Sequence, residues 1–127
     1  RPYAISGPVT QGSDRGAKIG LPTANIAHWP KKQLPAVGVY ATWVILQKKC
    51  YLGITNVGLR PTFEKQIKPN IETHILDFDG NIYGEKLTLR FAKKIREEKK
   101  FPGVDALLEQ IARDKVTARE IFRNEQK

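Results

Sequence analysis

Glycine and basic residues alternate near the start of the chain. Gly12, Gly16 and Gly20 are spaced by four, and Arg15 and Lys18 lie between them. Because glycine has no side chain, its backbone amide can come close to an anion, and the two cations add attraction. The segment lacks the G-x-x-x-x-G-K-[ST] signature of a phosphate loop. Two interpretations stay open, an anion-binding loop and a plain glycine-rich surface loop.

The same segment continues into Pro22-Thr23-Ala24-Asn25. The Thr23 hydroxyl and the Asn25 carbonyl are hard oxygen ligands of the kind that magnesium prefers. Their position directly after the glycines favours the functional interpretation, a loop that binds phosphate together with a metal ion.

A single carboxylate, Glu72, stands among apolar and β-branched neighbours in residues 71–75. Burial of a carboxylate is costly, so Glu72 either faces water or has a chemical role. An ionised carboxylate beside a bound alcohol could accept the alcohol's proton during attack on phosphorus. His74 would share its face of a strand, and for His74 a structural role is favoured over catalysis.

Two further segments suit ligand binding. In residues 58–63, Arg60 and Phe63 lie beside a glycine and a proline, which is typical either of a binding flap or of ordinary turn chemistry. In residues 96–101, Phe101 could anchor the following helix or stack on a flat ligand.

Charge and composition narrow the class of protein. The net charge of +9, from 22 Lys and Arg against 13 Asp and Glu, indicates an anionic partner. For the individual basic runs, a plain solvated face stays open as the alternative. The longest apolar stretch, around residues 43–46, is far shorter than the roughly 20 residues of a membrane-spanning helix, which excludes such a helix. The lone Cys50 excludes an internal disulfide and a thiolate zinc site. It fits a reducing compartment, and we expect a cytoplasmic protein.

The pattern predicts strands first and one helix last. Residues 1–35, rich in glycine and proline, are predicted to be irregular. The predicted strands are residues 37–46, 50–55, 71–78 and 86–91, with a turn at 47–49. The first of these strands would be buried on both faces, and Leu87, Leu89 and Phe91 would face the interior of the last.

After Pro102-Gly103, apolar residues recur at helical spacing. They are Val104, Leu107, Leu108, Ile111, Ala118 and Phe122. Glu109 and Arg113 stand four apart, in the favourable order for a helix pair. Short strands with irregular connections favour a closed or partly closed barrel, because closure removes edge strands. The helix would cover an opening or a side of the barrel.

Taken together, these motifs resemble the riboflavin kinase (flavokinase) family, in the family's order over nearly the whole chain. The most specific part is the pair formed by Pro22-Thr23-Ala24-Asn25 and Glu72-Thr73-His74-Ile75. The other matching pieces are Gly12, Arg15-Gly16, Gly20-Leu21, Gly38-Val39-Tyr40, Asn56-Val57-Gly58-Leu59-Arg60-Pro61-Thr62-Phe63, Tyr83-Gly84 and Arg96-Glu97-Glu98-Lys99-Lys100-Phe101.

The resemblance implies a six-stranded antiparallel Greek-key barrel with a long C-terminal helix. It also implies transfer of the γ-phosphoryl group of ATP, bound with magnesium, to the 5′-hydroxyl of riboflavin, which gives FMN and ADP. In bacteria the family is usually the C-terminal module of a bifunctional riboflavin kinase/FAD synthetase. We therefore expect residues 1–127 to be one kinase domain of a longer chain, with an N-terminal adenylyltransferase domain as its partner. We expect it to bind neither nucleic acid nor a membrane. The opening Arg1-Pro2-Tyr3 and the absence of methionine fit that expectation.

The resemblance also implies roles for individual residues. Glu72 would be the catalytic base, and Thr23 and Asn25 would hold magnesium and phosphates. The other implied ATP contacts are Gly12, Arg15, Lys18, Gly20, Pro22, Ile75, Asp77 and Tyr83, the last three on the adenine side. The implied flavin contacts are Arg96, Lys99 and Phe101, with Arg60 in a flap. Many bacterial members carry a second arginine where this chain has Ala17, and Lys18 is expected to replace its charge.

A small barrel that binds nucleic acid is the alternative from another class. Tyr40, Trp43, Tyr51 and Phe63 would form its stacking platform, and its binding would weaken steeply with salt. Such a protein has no need of Glu72 or of the Pro-Thr-x-Asn motif. The same glutamate argues against a flavin carrier without catalysis.

Overall fold

The computed structural model describes residues 4–10, 24–26, 35–61, 67–78, 82 and 84–125. This part of the chain forms six strands and one helix. They are β1 (Ala4–Thr10), β2 (Ala24–Ile26), β3 (Gly38–Leu46), β4 (Lys49–Pro61), β5 (Ile67–Ile75), β6 (Lys86–Arg96) and α1 (Val104–Glu125). No helix in these ranges is both long enough and apolar enough to cross a membrane.

The six described strands close into a barrel in the order β1-β2-β5-β4-β3-β6. Every neighbouring pair is antiparallel. β3, β4 and β5 follow one another as neighbours, and β6 returns beside β3, which is the Greek-key arrangement. The predicted antiparallel barrel with a C-terminal helix is confirmed.

Alternate side chains of the strands fill the barrel interior. The buried residues of this interior cluster are Ile5, Val9, Ile26, Tyr40, Val44, Leu46, Val57, Ile71, Ile75, Leu87, Leu89 and Phe91. The prediction that Leu87, Leu89 and Phe91 face inward is confirmed. β3 is buried on both faces, as predicted, because its outward Val39 and Ala41 belong to a second cluster beneath α1.

Three fully buried threonines cross the interior. The hydroxyls of Thr42 and Thr55, and those of Thr55 and Thr73, lie 2.9 Å apart. Each hydroxyl therefore has a partner, which removes the penalty of burying it. Because side chains alternate along a strand, the inward direction of Thr73 turns its neighbour Glu72 to the outside of the barrel.

The helix α1 packs on the outer face of the barrel, as predicted, against β3, β4 and β6. Phe122 lies on Trp43 with ring centroids 4.3 Å apart. The helix predicted from the apolar spacing is present, but two of those apolar residues near its start, Val104 and Leu108, are exposed. The buried face is set by the spacing of four that links Asp114, Ala118 and Phe122. The predicted pair of Glu109 and Arg113 forms an exposed ion pair.

Two strands lie in the region that was predicted to be irregular. β1 pairs with β6 from Ala4 to Pro8, and the short β2 is paired with β1 on one side and β5 on the other. Pairing with distant strands, not local propensity, forms both elements. The prediction of irregular structure was wrong for these two segments.

Other boundaries also differ from the prediction. β4 continues to Pro61 in a ladder with β5, so residues 58–61 are strand and not the predicted loop. β5 ends at Ile75 and is followed by a turn. The hairpin turn is Gln47-Lys48 alone, with positive φ at both residues, which matches the twist of the flanking strands.

Candidate active site

Three polar residues lie in one row across three neighbouring strands. Glu72 of β5 is paired with Asn25 of β2 on one side and with Asn56 of β4 on the other. Their chain neighbours Ile71, Ile26 and Val57 fill the interior, so the row faces outward. Adjacent strands are about 4.8 Å apart, and the row therefore spans about 10 Å. We call these three residues the polar row.

The polar row begins where the helix-covered surface ends. On β4, the outward residue before Asn56 is Ile54, which packs in the cluster beneath α1. His74, paired with Ile54, follows Glu72 on the outer face of β5 and is half-buried. The row thus borders an apolar surface.

Glu72 is oriented by a neighbour on its own strand. Asn70 Nδ2 donates a hydrogen bond to Glu72 Oε1 at 2.9 Å. Among the described residues, no hydrogen bond reaches Glu72 Oε2. One carboxylate oxygen is therefore held, and the second can accept a proton or a hydrogen bond from a ligand.

The amide oxygens of Asn25 and Asn56 flank Glu72 on its two sides. Asn25 Oδ1 and Asn56 Oδ1 are buried, and neither has a hydrogen-bond partner in the part of the chain that the structure describes. A buried acceptor without a donor costs about 1–3 kcal/mol. Two such atoms beside one carboxylate make the polar row a candidate site for a ligand that supplies a hydrogen-bond donor or a cation.

Glu98 covers the Asn56 end of the polar row. Asn56 Nδ2 donates to Glu98 Oε2 at 3.0 Å. The same carboxylate lies against Gly58, where an added Cβ would overlap it. Glycine at this position therefore lets Glu98 lie close to β4.

A buried ion pair fixes the segment that carries Glu98. Arg96 Nε and Nη2 donate to Asp114 Oδ1 and Oδ2 at 3.0 and 2.9 Å, and the Asp114 side chain is 1% exposed. Arg96 Nη1 also donates to the carbonyl of Glu97 at 3.0 Å. This bidentate pair ties the end of β6 to α1 and so sets where the chain leaves the strand toward Glu98.

Three of the residues predicted on the flavin side, Arg96, Lys99 and Phe101, come together at the end of β6. Arg96 Cζ and Lys99 Nζ lie 5.7 and 5.3 Å from the ring centroid of Phe101. The Arg96 guanidinium is engaged with Asp114, a structural partner that the sequence did not indicate. Contact of these three residues with a flavin stays a prediction.

The described residues predicted on the adenine side are apart from the polar row. Ile75 belongs to the barrel interior. Asp77, in the turn after β5, forms an exposed ion pair with Arg119 of α1, with Oδ2 3.1 Å from Nη1. The hydrogen bond from Arg119, helped by its charge, lowers the pKa of Asp77 below the usual 3.8. Their contacts with a nucleotide stay predictions.

Several predicted site residues lie outside the described residues. They are Gly12, Arg15, Lys18, Gly20, Pro22, Thr23 and Tyr83. Arg60 is described only as a backbone position in β4, paired with Lys68. The loop predicted at residues 58–61 is strand, and the contact of Arg60 with a flavin stays a prediction.

The sequence analysis gave no role to Asn56, Asn70, Glu98 or Asp114, although Asn56 and Glu98 lie within the matching motifs. A signal existed for Asn56, because asparagine is depleted in strands and this one interrupts an otherwise strand-like run. The argument applied to Glu72 would have applied to it as well. The roles of Glu98 and Asp114 depend on contacts between distant segments.

The aromatic platform of the nucleic-acid alternative is not formed by the described residues. Tyr40 is buried in the barrel, edge-on to Phe91. Trp43 packs on Phe122 outside the barrel, and Phe63 lies outside the described residues. The described rings do not share one exposed face.

The family model described as "Flavokinase: Riboflavin kinase" matches residues 1–122 of this chain. The chain belongs to the riboflavin kinase family. The bifunctional riboflavin kinase/FMN adenylyltransferase of Bacillus subtilis is 39% identical over 126 residues, which cover 98% of this chain and 40% of that protein. The chain thus spans about 40% of the length of this bifunctional relative of the family.

Two solved structures share the riboflavin kinase fold seen here. The riboflavin kinase of Trypanosoma brucei superposes with a TM-score of 0.70 at 23% identity, covering 99% of this chain and 83% of that one. A crystal structure of a macrolide-efflux protein from Streptococcus pneumoniae gives a TM-score of 0.82 at 34% identity, covering 93% of this chain and 38% of that one. The barrel and its helix therefore occur in proteins of different overall length.

Proposed function

We propose that this chain is a riboflavin kinase that transfers the γ-phosphoryl group of ATP to the 5′-hydroxyl of riboflavin, giving FMN and ADP. The observation that supports this most is the outward Glu72 at the centre of the polar row, in a chain of the riboflavin kinase family. Phosphoryl transfer requires mainly positioning and charge neutralisation, with one group that receives the proton of the alcohol.

In this mechanism Glu72 accepts the proton of the 5′-hydroxyl. Asn70 holds Oε1, which leaves Oε2 for the substrate. As the alcohol oxygen forms its bond to the γ-phosphorus, the bond from that phosphorus to the bridging oxygen breaks and ADP leaves. A carboxylate in hydrogen-bond reach of the hydroxyl contributes as a general base.

The magnesium–ATP end of the site is assigned to Asn25 and Thr23. Asn25 Oδ1 is a hard oxygen without a donor among the described residues, which fits a magnesium ligand. No group of three or more His, Cys, Asp or Glu side chains gathers in the described ranges, so neutral oxygens and phosphates would supply the ligands. Magnesium, when bound, neutralises phosphate charge, and Arg15 and Lys18 would add to that effect.

Asn25→Ala is expected to weaken ATP binding in the presence of magnesium by at least about tenfold, because it removes an oxygen ligand. Calorimetric titration with ATP, with and without magnesium, measures the effect. Asn25→Asp, which keeps an oxygen at this position, should retain magnesium-dependent binding. An unchanged affinity of Asn25→Ala for magnesium–ATP would remove Asn25 from the metal site.

The direct test is incubation of the purified chain with riboflavin, ATP and magnesium, followed by chromatography. FMN is expected and FAD is not, because we propose that adenylyl transfer belongs to the separate region present in the longer relatives. No FMN under these conditions would overturn the kinase assignment, and FAD would overturn the division of the two activities.

We also propose a cytoplasmic location, supported by the free thiol of Cys50.

A further inference from the structure

We infer that Asn56 is a substrate-positioning residue whose Oδ1 accepts a hydrogen bond from a hydroxyl of the ribityl chain, while Glu98 holds its amide in the required orientation. This inference rests on the proposed function, because it concerns the acceptor side of the same site. It extends the site by a residue to which neither the motifs nor the comparisons attach a role.

The orientation of the Asn56 amide follows from the chemistry of its neighbour. An ionised carboxylate only accepts hydrogen bonds, so the group that faces Glu98 Oε2 at 3.0 Å must be Nδ2. Since the two polar atoms of an amide point in different directions, this bond directs Oδ1 away from Glu98. The buried Oδ1 then has no donor among the described residues.

An unpaired neutral amide oxygen accepts a hydrogen bond or binds a cation, and the cation of the proposed reaction is assigned to the Asn25 end of the polar row. Asn56 Oδ1 cannot be satisfied by a phosphate oxygen, which is itself an acceptor, but a hydroxyl or an N–H group satisfies it. A flavin offers both, as ribityl hydroxyls and as the imide N–H of its ring. The position of Asn56 in the polar row decides between them.

The row places Asn56 on the side of Glu72 opposite to Asn25. The attacking and leaving oxygens of phosphoryl transfer lie roughly in line. If Asn25 marks the phosphate end, the carbon chain of the alcohol leaves Glu72 toward Asn56. Neighbouring strands are about 4.8 Å apart, a distance within reach of the next hydroxyls along the ribityl chain, whereas the ring imide lies several bonds further.

Glu98 acts through Asn56 and not on the reacting atoms. It lies over Gly58 and occupies the amide nitrogen of Asn56, so removal of its carboxylate frees the amide to rotate. The anchor at Arg96 and Asp114 holds the chain beside Glu98 to the helix. Glu98 is thus a positioning residue for the orientation of Asn56.

The test compares riboflavin with lumiflavin, a flavin that has the same ring system but no ribityl hydroxyls. Fluorescence titration gives both affinities, and steady-state assays give KM for riboflavin and for ATP. Asn56→Ala is expected to weaken riboflavin binding about tenfold, the loss of roughly one hydrogen bond to a buried oxygen, and to leave lumiflavin binding unchanged. KM for riboflavin should rise while KM for ATP stays the same.

Glu98→Ala should lower the riboflavin-to-lumiflavin affinity ratio in the same direction. Glu98→Gln should restore the ratio, because its amide oxygen can still accept from Asn56 Nδ2. The matched control is Asn124→Ala, at an exposed position near the end of α1, which should change neither affinity. Thermal unfolding checks that each variant is folded. If Asn56→Ala is unfolded, the comparison of Glu98→Ala with Glu98→Gln still tests the inference.

The outcomes separate this inference from the proposed function. The inference is overturned, even when FMN is formed, if Asn56→Ala or Glu98→Ala has the same riboflavin-to-lumiflavin affinity ratio as the unmodified chain. Equal weakening of the binding of both flavins is one such result. Absence of FMN from the unmodified chain overturns the kinase assignment, whereas a ratio that depends on Asn56 supports the hydroxyl contact on its own.

Discussion

Glu72→Gln is expected to slow FMN formation by roughly 100-fold or more, the effect of removing a positioned base, while riboflavin and ATP still bind. Glutamine has nearly the shape of glutamate, and its amide oxygen can still accept the bond from Asn70. It cannot take the proton of the alcohol. Single-turnover assays with chromatographic detection of FMN measure the rate, and fluorescence titration measures riboflavin affinity.

The matched control for this prediction is Glu120→Gln, the same change at an exposed position on α1. It should leave both the rate and the affinity unchanged. Near-normal turnover of Glu72→Gln would remove Glu72 from the mechanism. A parallel loss of riboflavin binding and turnover would instead assign Glu72 to substrate binding.

Asp114→Ala is expected to lower the free energy of unfolding by about 3–5 kcal/mol, because it leaves the Arg96 guanidinium without its buried partner. The Asp114 side chain is 1% exposed and receives donors from Arg96 and Gln110. Urea unfolding at neutral pH, followed by tryptophan fluorescence and circular dichroism, measures the change.

Glu109→Ala provides the comparison, since it breaks an ion pair with Arg113 whose side chains are 66% exposed. Exposed pairs contribute little, and the expected loss is below about 1 kcal/mol. Equal and small losses in the two variants would show that the Arg96–Asp114 pair does not anchor the segment after β6.

The sequence predicted those elements whose signal is local. The hairpin of β3 and β4 has a β-branched and aromatic run before its short turn, and β6 alternates apolar and polar residues. The helix follows a Pro-Gly break and has apolar residues at helical spacing. In each case the pattern within one segment is enough to specify the structure.

The missed parts depend on partners far along the chain. β2 has three residues and exists because β1 and β5 lie on its two sides. The motifs identified Asn25 and Glu72 as site residues, but the alignment of Asn25, Glu72 and Asn56 follows only from the strand register. Likewise, the bond from Asn56 to Glu98 joins residues 42 positions apart, which no local pattern encodes.

Glu72 and Thr73 point to opposite faces of β5, so the function of each depends on its exact position along the strand. Gain or loss of one residue within the strand would turn Glu72 toward the barrel interior and Thr73 toward the outside. A carboxylate would then be buried beside Thr42 and Thr55 in the barrel interior. A hydroxyl, which is too weakly basic to act as the proposed general base, would take the outward position. Natural insertions and deletions in relatives of this protein should therefore fall in the connections between strands and not between Ile71 and Ile75.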